Sequence, residues 1–229
     1  MALQYSPKIN TTGLVLYLNA GDVNSYPSSG AVWYDLMGNG NANQMGSPTH
    51  NPLTKSFTFD SSSDYFSLNE NTTFSNLNGD VTLTGWFKQL DSVGPHQTII
   101  CTDISYRHGL KLMSYYHGGI AAWLGNSDGS QDYLLNSSGV AGTGWHFMAT
   151  TRNKDSGVLT LYLDGVLVNN VTTFVGNTAL TGTPAVGLDY HSSGYYYNGD
   201  IAMVQGYNRV LSSVEILELY KQHKRTFGL

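Results

Sequence analysis

The chain has 229 residues, 41% of them apolar, which is enough for a substantial core, and a formal net charge of −5. Charged residues make up only 12%, against 26 glycines and 16 tyrosines, a balance that favours strands, tight turns and aromatic surface over solvated helices. The lysines and arginines are scattered, so no basic face is offered to a phosphate backbone and nucleic acid is excluded as a partner.

Residues 1–10 read as an N-terminal tail. MALQYSPKIN lacks a charged region followed by an apolar run and a small-residue cleavage site, so synthesis in a host cytoplasm without a signal peptide is expected. No later apolar run reaches the roughly 20 residues of a membrane helix, and no membrane partner is expected.

From residue 11 onward, apolar residues alternate with period two between clusters of Gly, Asn, Asp and Ser, the pattern of many antiparallel strands. Strands are predicted over residues 14–18, 56–59, 65–68, 81–87, 97–101, 110–115, 120–124, 145–151, 159–163, 166–171 and 200–207. In LTLYLDGVLV, Leu159, Leu161 and Leu163 share one face and Asp164-Gly165 supplies a type I′ hairpin turn. Near the end, Ser212 and Glu215 form a capping box, and a helix of about three turns follows with Val214, Leu217 and Tyr220 on one side. Lys221, Lys224 and Arg225 complement its dipole. One domain over residues 11–222, with residues 223–229 as a C-terminal tail, is the simplest organisation, and the fold class is all-β, a sandwich with one short C-terminal helix. Cys101, the single cysteine, sits in an apolar run and reads as a buried thiol.

The ordered series GLVLYLNAGDVNSY, WYDLMGNGN, FTFD with DYFSL, VTLTGWFK, GWHFMATTR, LTLYLDGVLV and NGDIAMVQGYNRVLSSVEILELY resembles the laminin G-like jelly rolls of the concanavalin A-like lectin and glucanase superfamily. The resemblance spans almost the whole chain. It implies two antiparallel sheets packed face to face in a jelly roll, with the N- and C-terminal segments adjacent, as period-two alternation also demands. VLYLNAG followed by Ser25-Tyr26-Pro27 is similar to modules of tailed-bacteriophage structural proteins.

Catalysis finds little support. Glucanases of that superfamily carry E-x-D-x-x-E on one strand, whereas the three glutamates here are Glu70 in a loop-like stretch and Glu215 and Glu218 on the terminal helix. No H-x-H or H-E-x-x-H spacing occurs. No enzyme activity is expected.

WYDLMGNGN raises three readings. A phosphate loop fails for want of a following lysine and helix, and an EF-hand fails because Met37 takes a ligand position. A tight turn headed by Asp35 is favoured, because Asn and Gly adopt left-handed backbone cheaply. Calcium is the rival: the resemblance implies a site at a sandwich rim, with Asp22, Asp35 and Asp200 as the matching ligands. Two stretches mix aromatic rings with polar groups as a sugar site requires. They are YRHGLKLMSYYHGG, with Tyr106, Tyr115, Tyr116 and His117, and DYHSSGYYYNGD, with Tyr190, His191, Tyr195, Tyr196 and Tyr197.

The expected function is a non-enzymatic virion structural protein of a tailed phage, a capsid decoration or tail or fibre component. It is expected to be homo-oligomeric, partnered by other virion proteins and without a required cofactor. The alternative is a carbohydrate-binding module, calcium-assisted, that attaches to host or surface glycans.

Overall fold

The computed structural model describes residues 9–68, 77–90, 96–104, 108–115, 118–126, 128, 130–136, 139–178, 180, 182–189 and 195–229. The first strands are β1 (Leu14–Asn19), β2 (Val32–Trp33), β3 (Ala42–Met45), β4 (Thr49–Asn51), β5 (Ser56–Asp60) and β6 (Tyr65–Leu68). There follow β7 (Val81–Gln89), β8 (His96–Cys101), β9 (Gly109–Tyr115), β10 (Gly119–Gly125), β11 (Gln131–Asn136) and β12 (His146–Arg152). The chain continues through β13 (Val158–Leu163), β14 (Val166–Thr172), β15 (Ala185–Val186), β16 (Leu188–Asp189), β17 (Tyr195–Tyr196) and β18 (Asn198–Tyr207), and ends in helix α1 (Ser213–His223).

Two eight-stranded antiparallel sheets form the sandwich. The first runs β14-β13-β12-β7-β18-β5-β4, with β1 also on β18; the second runs β11-β10-β9-β8-β15-β6-β3-β2. One edge of β18 takes β7, while the other is shared by β5, along Asn198 to Ile201, and β1, along Met203 to Tyr207. The N-terminal strand thus lies against the last strand, as the jelly-roll resemblance implies.

Alternation decides which residues fill the core. Leu16, Phe57, Leu83, Phe87, Leu159, Leu161 and Val204 of the first sheet meet Phe66, Leu68, Ile100, Leu112, Ala122 and Leu134 of the second, all almost fully buried. Each Val, Leu, Ile or Phe among them contributes roughly 1.5–3 kcal/mol by leaving water. At one end Trp33, Phe57 and Phe66 interlock tilted and edge-on, with centroids 4.7–5.3 Å apart. The predicted type I′ turn is present: Asp164 and Gly165 have φ of 49° and 79°.

The other face of the first sheet carries a second apolar layer, Tyr17, Trp86, Phe147, Ala202, Met203 and Tyr207, which α1 covers with Ile216 and Leu219. The capping box forms as expected, with Ser212 and Glu215 each accepting the other's backbone N–H. The inward face of α1 departs from expectation, since Val214 is 66% exposed while Ile216 and Leu219 are buried. The apolar layer of the first sheet takes the Ile216 side, and Tyr220 joins it by stacking on Trp86. Lys224–Phe227 forms a 3-10 turn that stacks Phe227 on Trp86 at 4.4 Å and sets it 4.7 Å from Trp145, because aromatic surface left open beside α1 remains to be buried. Ile9, assigned to the N-terminal tail, packs on the same layer.

Candidate functional site

The stretch WYDLMGNGN forms a turn held by one carboxylate. Asp35 Oδ1 accepts the N–H groups of Tyr17 and Met37 at 2.8 and 3.1 Å, and Oδ2 accepts those of Asn39 and Gly40 at 2.8 and 3.2 Å. The turn also lines the free edge of β1. The Leu36 N–H bonds Tyr17 O, and Asn39 Nδ2 bonds Val15 O, so edge groups of that strand find partners.

This arrangement does not fit calcium. Four N–H donors use the lone-pair positions of the Asp35 carboxylate and present their positive ends where a cation would stand. Asp22 accepts instead from the backbone and side chain of Asn24, and Asp200 from the Thr58 hydroxyl at 2.5 Å. Among the described residues no three His, Cys, Asp or Glu side chains gather to hold a metal ion. Asp22, Asp35 and Asp200, the expected calcium set, thus each serve a separate local structure.

The two tyrosine-rich stretches, by contrast, come together. In the ladder of β8 and β9, Tyr115 stands opposite His96, and in the β16–β17 hairpin Asp189 stands opposite Tyr195. Lys111 of β9, fully buried, reaches Asp189 Oδ1 at 2.5 Å and lies 4.4 Å from the centroid of the Trp123 ring. The His96 ring meets Tyr195 edge-on at 5.1 Å, and Tyr196 packs 6.2 Å from Tyr65 over a small apolar cluster of Cys101, Ala185 and Leu188. His96, Tyr65, Tyr195 and Tyr196 are all half-buried, each keeping part of its surface for solvent.

Tyr197 departs from its sister residues. It is fully buried, edge-on to Phe59 at 6.0 Å, so its ring cannot meet a sugar. Alternation along YYYN sends one tyrosine into the core, and burial raises its hydroxyl pKa well above the ordinary value. Tyr106, Tyr116, His117, Tyr190 and His191 lie outside the described residues, and Tyr115 is placed by its backbone alone. Sequence reasoning did not single out Tyr65, His96, Lys111, Trp123 or Asp189. The available signal was Lys111, a lone charge between Leu110 and Leu112 on an apolar strand.

Three arrays bear on catalysis. Glu215 is fixed by Arg209, with Nη2 2.6 Å from Oε1 and Nη1 3.1 Å from Oε2, and this pairing holds its carboxyl down to about 2. A general acid needs the opposite shift. Glu218 lines a cleft of about 200 Å³ with Tyr207, Leu211 and Leu219. Thr143, His146 and Asp164 are aligned as a hydroxyl, imidazole and carboxylate, with 2.8 Å at both contacts. The Thr143 hydroxyl, however, donates its single proton to Val140 O at 2.6 Å, and Asp164 also accepts the Phe147 N–H at 2.9 Å. The row latches the hairpin turn to the start of β12. Burial raises the Cys101 thiol to about 12, which removes it as a nucleophile.

No curated protein matches this chain by sequence. Among solved structures it is similar to the botulinum neurotoxin serotype D binding domain, with 21% identity and a TM-score of 0.68 over 93% of this chain and 53% of that one. It is also similar to the binding domain of botulinum neurotoxin DC, solved in complex with SialylT, at 17% identity, TM-score 0.67, 91% of this chain and 51% of that one. The same neurotoxin domain in complex with rat synaptotagmin II gives 17%, 0.68, 91% and 51%. The chain spans about half the length of these structures, and at such identities the likeness is one of fold. The family model described as concanavalin A-like lectin/glucanases superfamily matches residues 60–217, and the chain belongs to that superfamily.

Proposed function

We propose that the protein is a non-enzymatic attachment module, a structural component of a tailed-phage particle that holds a surface glycan through the outer face of its second sheet. The observation that carries this reading is the convergence of the two tyrosine-rich stretches, where Tyr195, Tyr196 and His96 stay half-exposed on a support fixed by Lys111 and Asp189. Half-exposed rings beside polar groups suit the apolar face and hydroxyl rim of a pyranose. Two of the similar neurotoxin domains were solved with SialylT and with rat synaptotagmin II, which agrees with a binding role for such a fold. The phage setting is supported by the likeness of VLYLNAG and Ser25-Tyr26-Pro27 to phage structural modules, with other virion proteins as neighbours and the virion as its location.

The test is retention of the purified protein on a broad glycan panel, alongside the Tyr195→Ala/Tyr196→Ala variant and a Tyr34→Ala control at an exposed tyrosine of the Asp35 turn. The expected result is binding that survives a chelator, falls tenfold or more in the double variant and persists in the control. Binding by none of the proteins, all folded, overturns the glycan reading and leaves particle assembly. The phage setting is checked separately, by detecting the protein in purified virions of the encoding phage.

A further inference from the structure

α1 does not close completely on the first sheet. Along one stripe of the helix Glu215, Glu218 and Leu219 stand three and four residues apart, and with Tyr207 of β18, Leu211 and Asn10 they line a cleft of about 200 Å³. A cavity of roughly 150 Å³ is enough to hold a benzene ring, so this cleft has room for one ring and a short stem. It lies with α1 over the outer face of the first sheet, away from Tyr195 and Tyr196.

The lining joins an apolar base to unspent polar groups. Leu211 and Leu219 are almost fully buried and Tyr207 is fully so. The Tyr207 hydroxyl has no hydrogen-bond partner among the described residues, whereas a buried hydroxyl ordinarily has one. Burial raises its pKa, so it stays a neutral donor and acceptor across the working pH range. The charge of Glu215 is met by Arg209. Glu218 is exposed and makes no ion pair or hydrogen bond among the described residues, and no described lysine or arginine lines the cleft.

We propose that this cleft binds a small primary ammonium ion carried on an apolar stem. An anion would meet Glu218 as a like charge, and a neutral molecule would leave that carboxylate unused. An ammonium group brings three N–H donors, for the Glu218 carboxylate and the Tyr207 hydroxyl oxygen, while its stem covers Leu211 and Leu219. Apolar contact and charge then select the same molecule.

Ligand-observed NMR titration of the full chain with phenethylamine tests this, with phenethyl alcohol as the neutral counterpart and hydrocinnamate as the anionic one. The amine is expected to bind in the millimolar range or tighter, at least tenfold above the alcohol, and hydrocinnamate not at all. Its binding is expected to shift the methyl signals of Leu211 and Leu219. Glu218→Gln, at an exposed side chain, is expected to bring the amine down to the level of the alcohol with the thermal transition unchanged. Asp155→Asn removes a charge at a residue 78% exposed in the turn between β12 and β13, and is expected to leave binding as it was, which separates the site from general attraction to an acidic protein. Tyr207→Phe keeps the ring and is expected to weaken the amine several-fold without lowering the thermal transition. Nα-acetyl-lysine amide, titrated alongside, tells a free amine from a protein lysine as the source: the tighter of the two names it. No binding of either ammonium by the folded wild type, equal binding of amine and alcohol, unmoved Leu211 and Leu219 methyl signals, or amine binding that survives Glu218→Gln overturns the proposal.

Discussion

Lys111 Nζ stands 2.5 Å from Asp189 Oδ1, and this buried pair joins β9 to the hairpin that presents Tyr195 and Tyr196. The Lys111 side chain is fully buried and that of Asp189 is only 12% exposed. Removing one partner strands the other charge in a poorly solvated place, which costs about 3–5 kcal/mol. Lys111→Ala is therefore expected to lower the melting temperature by roughly 10 °C and to weaken glycan retention by loosening the hairpin. Lys111→Met combined with Asp189→Leu should recover most of the stability. Denaturant unfolding of the single and double variants measures the coupling, and additive losses would contradict this account.

Asp35 is expected to matter for stability and not for calcium. Asp35→Ala leaves four N–H groups without their acceptor and opens the edge of β1, a loss of about 3 kcal/mol. Thermal unfolding should show that loss, while added calcium or chelator leaves the wild-type transition where it was. A calcium-dependent rise that Asp35→Ala removes would restore the metal reading.

Acid should destabilise the fold in two steps. Burial holds His223 down to about 4, against 6.5 in the unfolded chain, so the unfolded state takes up a proton first. Its contribution, about 3 kcal/mol, is complete above pH 6.5 and is lost as pH falls towards 4. Glu215, held by Arg209 and Ser212 at about 2 against 4.5, contributes fully above pH 4.5 and loses its share as pH falls towards 2. Partial exposure limits that share to about 1 kcal/mol. Urea midpoints from pH 8 to pH 3 should show both steps, with His223→Leu removing the upper and Glu215→Gln the lower.

Cys101 should resist alkylation in the native protein. Its thiol is fully buried, raised to about 12, and lies 3.5 Å from Leu188 O. Iodoacetamide at pH 8 is expected to label it only in denaturant, and mass spectrometry distinguishes the two states. Rapid native labelling would mean that the β16–β17 hairpin lifts away from β8.

Period-two alternation was enough to locate the long strands, because a strand buried on one face must alternate whatever it packs against. Each of the eleven predicted strands is present within two residues of its expected ends. The short strands β2, β3, β4, β15, β16 and β17 escaped, since two to four residues hold too little of a pattern to stand apart from a loop. β11 escaped as well, its six residues QDYLLN breaking the alternation.

Local chemistry was legible in the sequence for the same reason: Asp164-Gly165 at its turn, Ser212 with Glu215 at its cap, and Asp35 with the N–H groups of Met37, Asn39 and Gly40 all bind partners along a few neighbouring residues. Tertiary packing alone decided the rest. It sent Tyr197 inward and left Tyr195 and Tyr196 at the surface, turned Ile216 rather than Val214 towards the sheet, and laid Phe227 on Trp86. It also brought Lys111 to Asp189 and His96 to Tyr195, pairs far apart in the chain whose meeting depends on which strands lie side by side. The sequence by itself determined which segments alternate and where they turn; the order of strands in the two sheets, a property of long-range pairing, decided which side chains share a surface.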